Sequence, residues 1–151
     1  MTLIVGLDLG DRRIGVAVAD DRGRARALAT IPRAETVAAD VAALLRVLPA
    51  VPDQVVVGLP INMSGDEGAQ AGASREWASE AEPLPGLEIR LRDERLTSHL
   101  AEQRLGPMKR GRSGGPPTPS QRRAYRELVD REAAAIILQD ELDARAARGA
   151  R

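Results

Sequence analysis

Apolar and polar positions change period several times along the chain, and each change marks an element. Residues 2–9 form an apolar run read as a buried strand. Gly10-Asp11-Arg12-Arg13 then reads as a turn and residues 14–19 as a second strand. Asp20-Asp21-Arg22-Gly23 is another turn, and residues 25–31 a third strand. Three strands joined by short Gly/Asp turns predict an antiparallel meander. Thr36 suits a helix N-cap, with Val37, Val41, Leu44, Leu45 and Leu48 on one face before Pro49 and Pro52 end the helix. Residues 54–59 are almost continuously apolar, as expected of a parallel strand covered on both faces. A loop at 60–65 leads to a helix over 67–81 anchored by Trp77, and a break at 83–86 leads to a fifth strand over 87–92. Thr97 or Ser98 caps a short helix to about residue 105. Residues 106–119 are rich in Gly, Pro, Arg and Ser and read as a flexible basic loop. A long helix is expected from 120 to 143, with 144–151 fraying.

The order β-β-β-α-β-α-β-α-α predicts one α/β domain over 1–143. Its five-stranded mixed sheet has three antiparallel strands, then two parallel ones, with helices on both faces. In such sheets, sites form beyond the carboxyl ends of strands where the order reverses.

Composition narrows the chemistry. The chain has 151 residues, no Phe, one Trp and one Tyr, so Ala, Val, Leu and Ile must fill the core. It has no Cys and a single His99, which excludes thiolate and His-rich zinc sites. A bound metal would take carboxylates, carbonyls and water, the ligands of Mg²⁺ or Mn²⁺. No apolar stretch is long enough to span a membrane, and Asp8 comes too early for a signal peptide, so a cytoplasmic protein is expected. The net charge of zero conceals a basic segment: residues 104–126 hold Arg104, Lys109, Arg110, Arg112, Arg122, Arg123 and Arg126 and no acid. A polyanion is the expected partner there, and a solvated surface the competing reading.

Three carboxylates stand where burial is expensive. Asp8 interrupts the first apolar run, Glu94 ends the fifth strand, and Asp130 shares the face of Ala133, Ala134 and Ile137 on the last helix. Together they suit metal-assisted hydrolysis of a phosphodiester. Each also has a plain structural reading: a turn residue for Asp8, surface pairing with Arg92 or Arg95 for Glu94, and with Arg126 or Arg131 for Asp130. Strand alternation sends either Asp93 or Glu94 inward, leaving Asp93 as the alternative ligand. Candidate nucleic-acid contacts are Arg13, Asn62, Ser64, Arg95, Lys109, Arg110, Arg112, Arg122 and Arg123. Tyr125 either stacks on a base or packs on a neighbouring element, and no catalytic role is expected of His99.

Four segments carry a resemblance. Gly6-Leu7-Asp8-Leu9-Gly10 with Arg13-Ile14-Gly15-Val16-Ala17 is similar to the first motif of the YqgF/RuvX family. Val57-Gly58-Leu59-Pro60 with Met63-Ser64-Gly65 resembles the second, Asp93-Glu94-Arg95-Leu96-Thr97-Ser98 the third, and the segment from Asp130 to Gln139 the fourth. The resemblance implies an RNase H-like fold related to Holliday-junction resolvases of the RuvC type. It also implies a Mg- or Mn-dependent nuclease maturing the 5′ end of pre-16S rRNA, with Asp8, Glu94 and Asp130 as catalytic acids. Ala133 stands where RuvC-type enzymes have a fourth carboxylate, so the ligand set is thinner. The implied partners are RNA in preference to branched DNA, and pre-ribosomal particles, with the protein a monomer or weak homodimer. The alternatives are a DNA junction resolvase acting as a two-fold dimer and a non-cleaving RNA-binding assembly factor. An ATP-binding kinase-like domain is rejected on chain length.

Overall fold

The computed structural model describes residues 2–19, 22–61, 64–65, 67–83, 87–111 and 113–149. Strands β1 (Ile4–Leu9), β2 (Arg13–Ala19) and β3 (Ala25–Pro32) form the antiparallel meander. Helix α1 (Val37–Val47) leads to β4 (Gln54–Pro60), and α2 (Ala69–Ala81) to β5 (Ile89–Glu94). The sheet order is β3-β2-β1-β4-β5, with β4 parallel to both β1 and β5. The strand pairing is therefore the mixed arrangement that the element order predicts.

Pleating sorts the sheet residues into two layers. Val5, Leu7, Val16, Val18, Val55 and Val57 face α1 and α2, where they meet Val41, Leu44, Leu48 and Trp77. Ala17, Ala19 and Val56 face the last helix, α4 (Pro119–Gly149), and meet Ala134, Ala135, Ile137 and Leu138. On this second face the sheet carries almost no side-chain bulk. A Cβ on Gly6 would stand 2.7 Å from Leu138 Cβ, and one on Gly15 would overlap the Asp130 carbonyl. Helix α4 thus rests on backbone, which fixes its height above the sheet. Helix α3 (Thr97–Leu105) packs on α4 rather than on the sheet, through Ala101, Val129, Ala133 and Ile136.

Thr36 caps α1 as expected, its hydroxyl accepting from the Ala39 amide. Inside that helix, however, Asp40 is completely buried. It accepts from Arg33 Nε (3.0 Å), the Ala34 amide (2.6 Å) and Trp77 Nε1 (3.0 Å). One carboxylate thus ties β3's exit to α1 and α2.

Most boundaries shift by one or two residues, and four differences have a visible cause. Strand β5 lies two residues later than predicted, because its ladder follows β4 out to the Pro60–Glu94 pair. Helix α3 is not capped by Thr97 or Ser98: Leu96 holds the cap position in a left-handed conformation (φ 57°), and the Thr97 hydroxyl donates to Glu94 instead. Helix α4 starts at Pro119 rather than Ser120. Proline is favoured at a first helical position, and Thr118 and Gln121 bond each other's amides in a capping box. The helix continues to Gly149, into the segment expected to fray, where Arg145 and Arg148 pair with Glu141. Among the described residues no helix is long and apolar enough to cross a membrane.

Candidate active site and nucleic-acid face

Asp8 lies near the end of β1, the strand with an antiparallel neighbour on one side and a parallel one on the other. Alternation puts it on the α4 face with Ile4 and Gly6, and its register partner on β2 is Gly15. Among the described residues no hydrogen bond reaches its carboxylate. Enclosure by protein raises its pKa from 3.8 to about 7, the charge of Asp130 adds to the rise, and Arg13 opposes it.

Glu94 pairs in register with Pro60, and Arg92 with Gly58, so both share the face of Asp8. Asp93 points to the opposite face, is exposed and lies near Arg75; the choice between the two acids falls on Glu94. Asp8 and Glu94 line one cavity of about 310 Å³, together with Gly58, Pro60, Leu96 and Ile137. A Cβ on Gly58 would run into the Ile137 side chain, which lies over β4 there. The Thr97 hydroxyl donates to Glu94 Oε2 (3.2 Å) and Arg92 Nε to Oε1 (3.1 Å). Burial followed by the charge of Asp140 raises the Glu94 pKa to about 7, outweighing these donors.

Asp130 flanks Asp8 on the other side. Its backbone lies against Gly15, but its carboxylate accepts from Arg13 Nε at 2.5 Å, with the two side chains 20% and 28% exposed. It lines neighbouring cavities rather than the one holding Asp8 and Glu94. The acids therefore form a row with Asp8 in the middle, and among the described residues no three Asp, Glu or His side chains cluster closely enough to hold a metal ion. The expected three-carboxylate cage is not formed in this arrangement, because Arg13 occupies Asp130. The pair that shares the cavity does suit a hard divalent cation: both donors are carboxylates, and no hydrogen bond reaches Asp8 among the described residues.

The basic residues divide. Arg12, Arg13, Arg122, Arg123 and Arg126 line a cavity of about 470 Å³ formed by the β1–β2 turn and the first turns of α4. Arg122 Nη1 also donates to the Pro117 carbonyl (2.6 Å), and Arg110 Nη1 to that of Gly114 (3.4 Å), which folds the basic loop on itself. Lys109 precedes Arg110 in that loop. Arg95 lies over Gly65, beside exposed Ser64, and of the two expected partners of Glu94 it is Arg92 that pairs with it. Asn62 and Arg112 lie outside the described residues. Tyr125 packs in the α3–α4 core and donates its hydroxyl to the Gly106 carbonyl (2.7 Å), which accounts for it structurally. His99 is exposed at the Asp8–Glu94 cavity, with Nε2 3.2 Å from Gln103 Nε2.

Sequence reasoning missed Arg12 and Asp140, and named Arg92 and Arg126 only as surface partners and, for Arg126, as part of the basic segment. Alternation along Arg90-Leu91-Arg92-Asp93-Glu94 puts Arg92 with Glu94, and helical spacing from Asp130 through Ala133 and Ile137 reaches Asp140. The backbone after Asp8 is held from outside: Gln70 Nε2 donates to the Leu9 carbonyl (3.0 Å), and Arg33 Nη1 to the Gly10 carbonyl (2.8 Å). Arg33 is in turn anchored on Asp40.

A family model described as RuvX, Holliday junction resolvase, matches residues 2–144. A protein of Anaeromyxobacter dehalogenans named "Putative pre-16S rRNA nuclease" is 46% identical over 144 residues, covering 94% of this chain and 97% of its own. A protein of the same name from Chloroflexus aggregans is 41% identical over 145 residues, covering 94% of each. Among solved structures, T. thermophilus RuvC in complex with Holliday junction substrate aligns with a TM-score of 0.51 at 19% identity, covering 96% of both chains. The Fowlpox virus resolvase in complex with Holliday junction DNA aligns with a TM-score of 0.51 at 11% identity, covering 95% of this chain and 98% of that one. At these identities the structural likeness establishes the RNase H-like fold.

Proposed function

Because the chain belongs to the RuvX family, we propose that it is a divalent-metal-dependent nuclease hydrolysing phosphodiester bonds in structured nucleic acid, with the 5′ end of pre-16S rRNA as its substrate. The observation that carries this reading is the cavity shared by Asp8 and Glu94, two carboxylates on one face of the sheet. Asp8 and Glu94 would hold a Mg²⁺ or Mn²⁺ ion, which when bound supplies Lewis-acid activation of the phosphodiester and of the attacking water. Asp8 contributes charge without a competing protein donor. Glu94 is oriented by Thr97 and Arg92. The arginines of the β1–β2 turn and the start of α4 bind the backbone phosphates of the polymer, which gives affinity without fixing sequence. The relatives named as pre-16S rRNA nucleases support RNA over DNA. Action on a ribosomal precursor places the protein in the cytoplasm, beside pre-ribosomal particles.

The test is cleavage by the purified protein with Mn²⁺, comparing a pre-16S rRNA fragment and a four-way DNA junction side by side. The rRNA fragment should be cut, and Asp8→Asn should abolish the cut while leaving the fold intact. Preferential cutting of the junction would replace RNA processing by junction resolution. Equal activity in the Asp8→Asn protein would assign the cleavage to a contaminant. Binding without cleavage would leave a non-catalytic RNA-binding factor.

A further inference from the structure

We infer that Arg13 is a latch on Asp130, opened by the substrate. In the free protein its guanidinium holds the Asp130 carboxylate. When nucleic acid binds, the guanidinium passes to a backbone phosphate, and Asp130 is released towards the cation site at Asp8. The inference rests on the nuclease reading for the identity of its ligand, a nucleic-acid phosphate, but its test does not depend on cleavage.

Four observations carry it. The Arg13–Asp130 pair is short, at 2.5 Å, yet both side chains retain solvent exposure, so the pair can exchange partners without unfolding anything around it. Arg13 and Arg126 line all three cavities that adjoin at this corner: the arginine-rich one, and the two containing Asp130. An anion drawn to Arg12, Arg122 and Arg123 therefore arrives within reach of the guanidinium that Asp130 holds. A planar guanidinium donates to phosphate in a two-pronged geometry, whereas Arg13 donates to Asp130 from Nε to one carboxylate oxygen, so a phosphate competes well for Arg13. Finally, the backbone at Asp130 is pressed against Gly15, the register partner of Asp8. The helix is already in place, and only the Asp130 side chain needs to turn.

The consequence is a division between two states. Without nucleic acid the acids stand in a row, with Asp8 and Glu94 sharing a cavity and Asp130 held aside. With a phosphate on Arg13 the third acid becomes available, so cation and substrate reinforce each other's binding, as two ligands of coupled sites must. The competing account is a static brace, in which Arg13 only fastens the β1–β2 hairpin to α4.

Mn²⁺ titration of the full-length protein without nucleic acid separates the two, with free Mn²⁺ read by electron paramagnetic resonance. If Arg13 is a latch, Arg13→Gln should bind Mn²⁺ roughly fivefold more tightly than wild type, the scale expected on removing a part-exposed ion-pair competitor. The gain should disappear in the Arg13→Gln, Asp130→Asn double variant, because no third acid remains to be released. In EDTA, where nothing is cleaved, Arg13→Gln should bind a labelled pre-16S rRNA fragment more weakly and lower the log–log salt slope by about one. Arg13→Lys keeps the charge without the fork, retains the hairpin contact, and should bind Mn²⁺ with an affinity between wild type and Gln. Unchanged or weaker Mn²⁺ binding by Arg13→Gln and Arg13→Lys, with wild-type melting temperatures, would establish the brace and overturn the latch. Loss of folding in Arg13→Gln, with wild-type Mn²⁺ affinity in Arg13→Lys, would do the same. A wild-type protein that cleaves nothing would refute the nuclease reading and leave the Mn²⁺ comparison intact.

Discussion

Replacing Asp8 by Asn should make the metal-free protein more stable, and only above a definable pH. The fold holds the Asp8 carboxyl among β1, β2 and α4 with no hydrogen-bond donor to it among the described residues, and a second carboxylate, Asp130, nearby. Its pKa rises from 3.8 to about 7, so the folded state binds this proton more tightly than the unfolded chain does. The sign follows from linkage. Between about pH 4 and pH 7 the folded state carries more bound protons, so stability from this group falls as pH rises through that window and is flat above it. A rise of that size corresponds to about 4 kcal/mol at most. The side of Asp8 open to the cavity keeps some hydration, which leaves about 2 kcal/mol or more as the expected cost at pH 8. Asn has nearly the same shape and cannot ionise, so Asp8→Asn avoids this cost and can donate to Asp130.

Urea unfolding in EDTA, followed by the fluorescence of Trp77, reports the difference, since Trp77 is the chain's one tryptophan and is buried in the core. The stability curves of wild type and Asp8→Asn should meet near pH 4 and diverge to about 2–4 kcal/mol at pH 8, or roughly 5–15 °C in melting temperature. Glu94 has its own raised pKa, but it is present in both proteins and largely cancels. Mn²⁺ at pH 8 should restore stability to wild type and not to the variant, since only a ligand of the folded state stabilises it. A pH-independent gap, or a variant less stable than wild type at pH 8, would refute the claim that Asp8 is held at electrostatic cost.

Two further predictions concern the frame around the site. Gly15→Ala should destabilise the protein by about 3 kcal/mol or more and abolish cleavage, because its Cβ would overlap the Asp130 carbonyl and lift α4 off β2; unfolding and activity assays on this variant check both. Asp40→Ala should cost about 3–5 kcal/mol by leaving Arg33 and the Trp77 indole N–H without their buried acceptor, measurable as a lower urea midpoint with altered Trp77 emission.

Much of the fold was legible because its local and global signals agree. The Gly/Asp turns and apolar runs of β1 to β3 allow little besides a meander, and the apolar segment of β4 requires cover on both faces. The errors fall where a partner decides. Nothing local in Leu87-Glu88-Ile89 says that pairing begins at Ile89; β4 sets that limit by extending to Pro60. The extension of α4 beyond Asp143 depends on Glu141 gathering Arg92, Arg145 and Arg148, and Arg92 is far away in sequence. Asp40 was unreadable for the same reason: its helix positions look amphipathic, and its three donors come from other parts of the chain. Site residues followed this rule too. Asp8 stood out in sequence by interrupting an apolar run, and alternation left Glu94 and Asp93 as alternatives, whereas the engagement of Asp130 by Arg13 depends on a helix register across 117 positions of sequence.

The small-residue composition links fold and site. A core without phenylalanine looks like an economy of packing, but on the α4 face it has an electrostatic effect. Gly6 and Gly15 let the helix rest on sheet backbone, and that contact height puts Asp130 beside Asp8 in place of a side-chain layer that would separate them. Gly58 admits the Ile137 side chain over β4, and the two line the cavity shared by Asp8 and Glu94. The same absence of bulk therefore gathers negative charge beside that cavity. Burial, with the charge of Asp130 at Asp8 and of Asp140 at Glu94, raises both pKa values to about 7 and opposes the folded state at neutral pH. A cation in that cavity would reverse the sign of the same interaction. Folding at neutral pH and binding of a divalent ion are thus coupled through the glycines as much as through the acids.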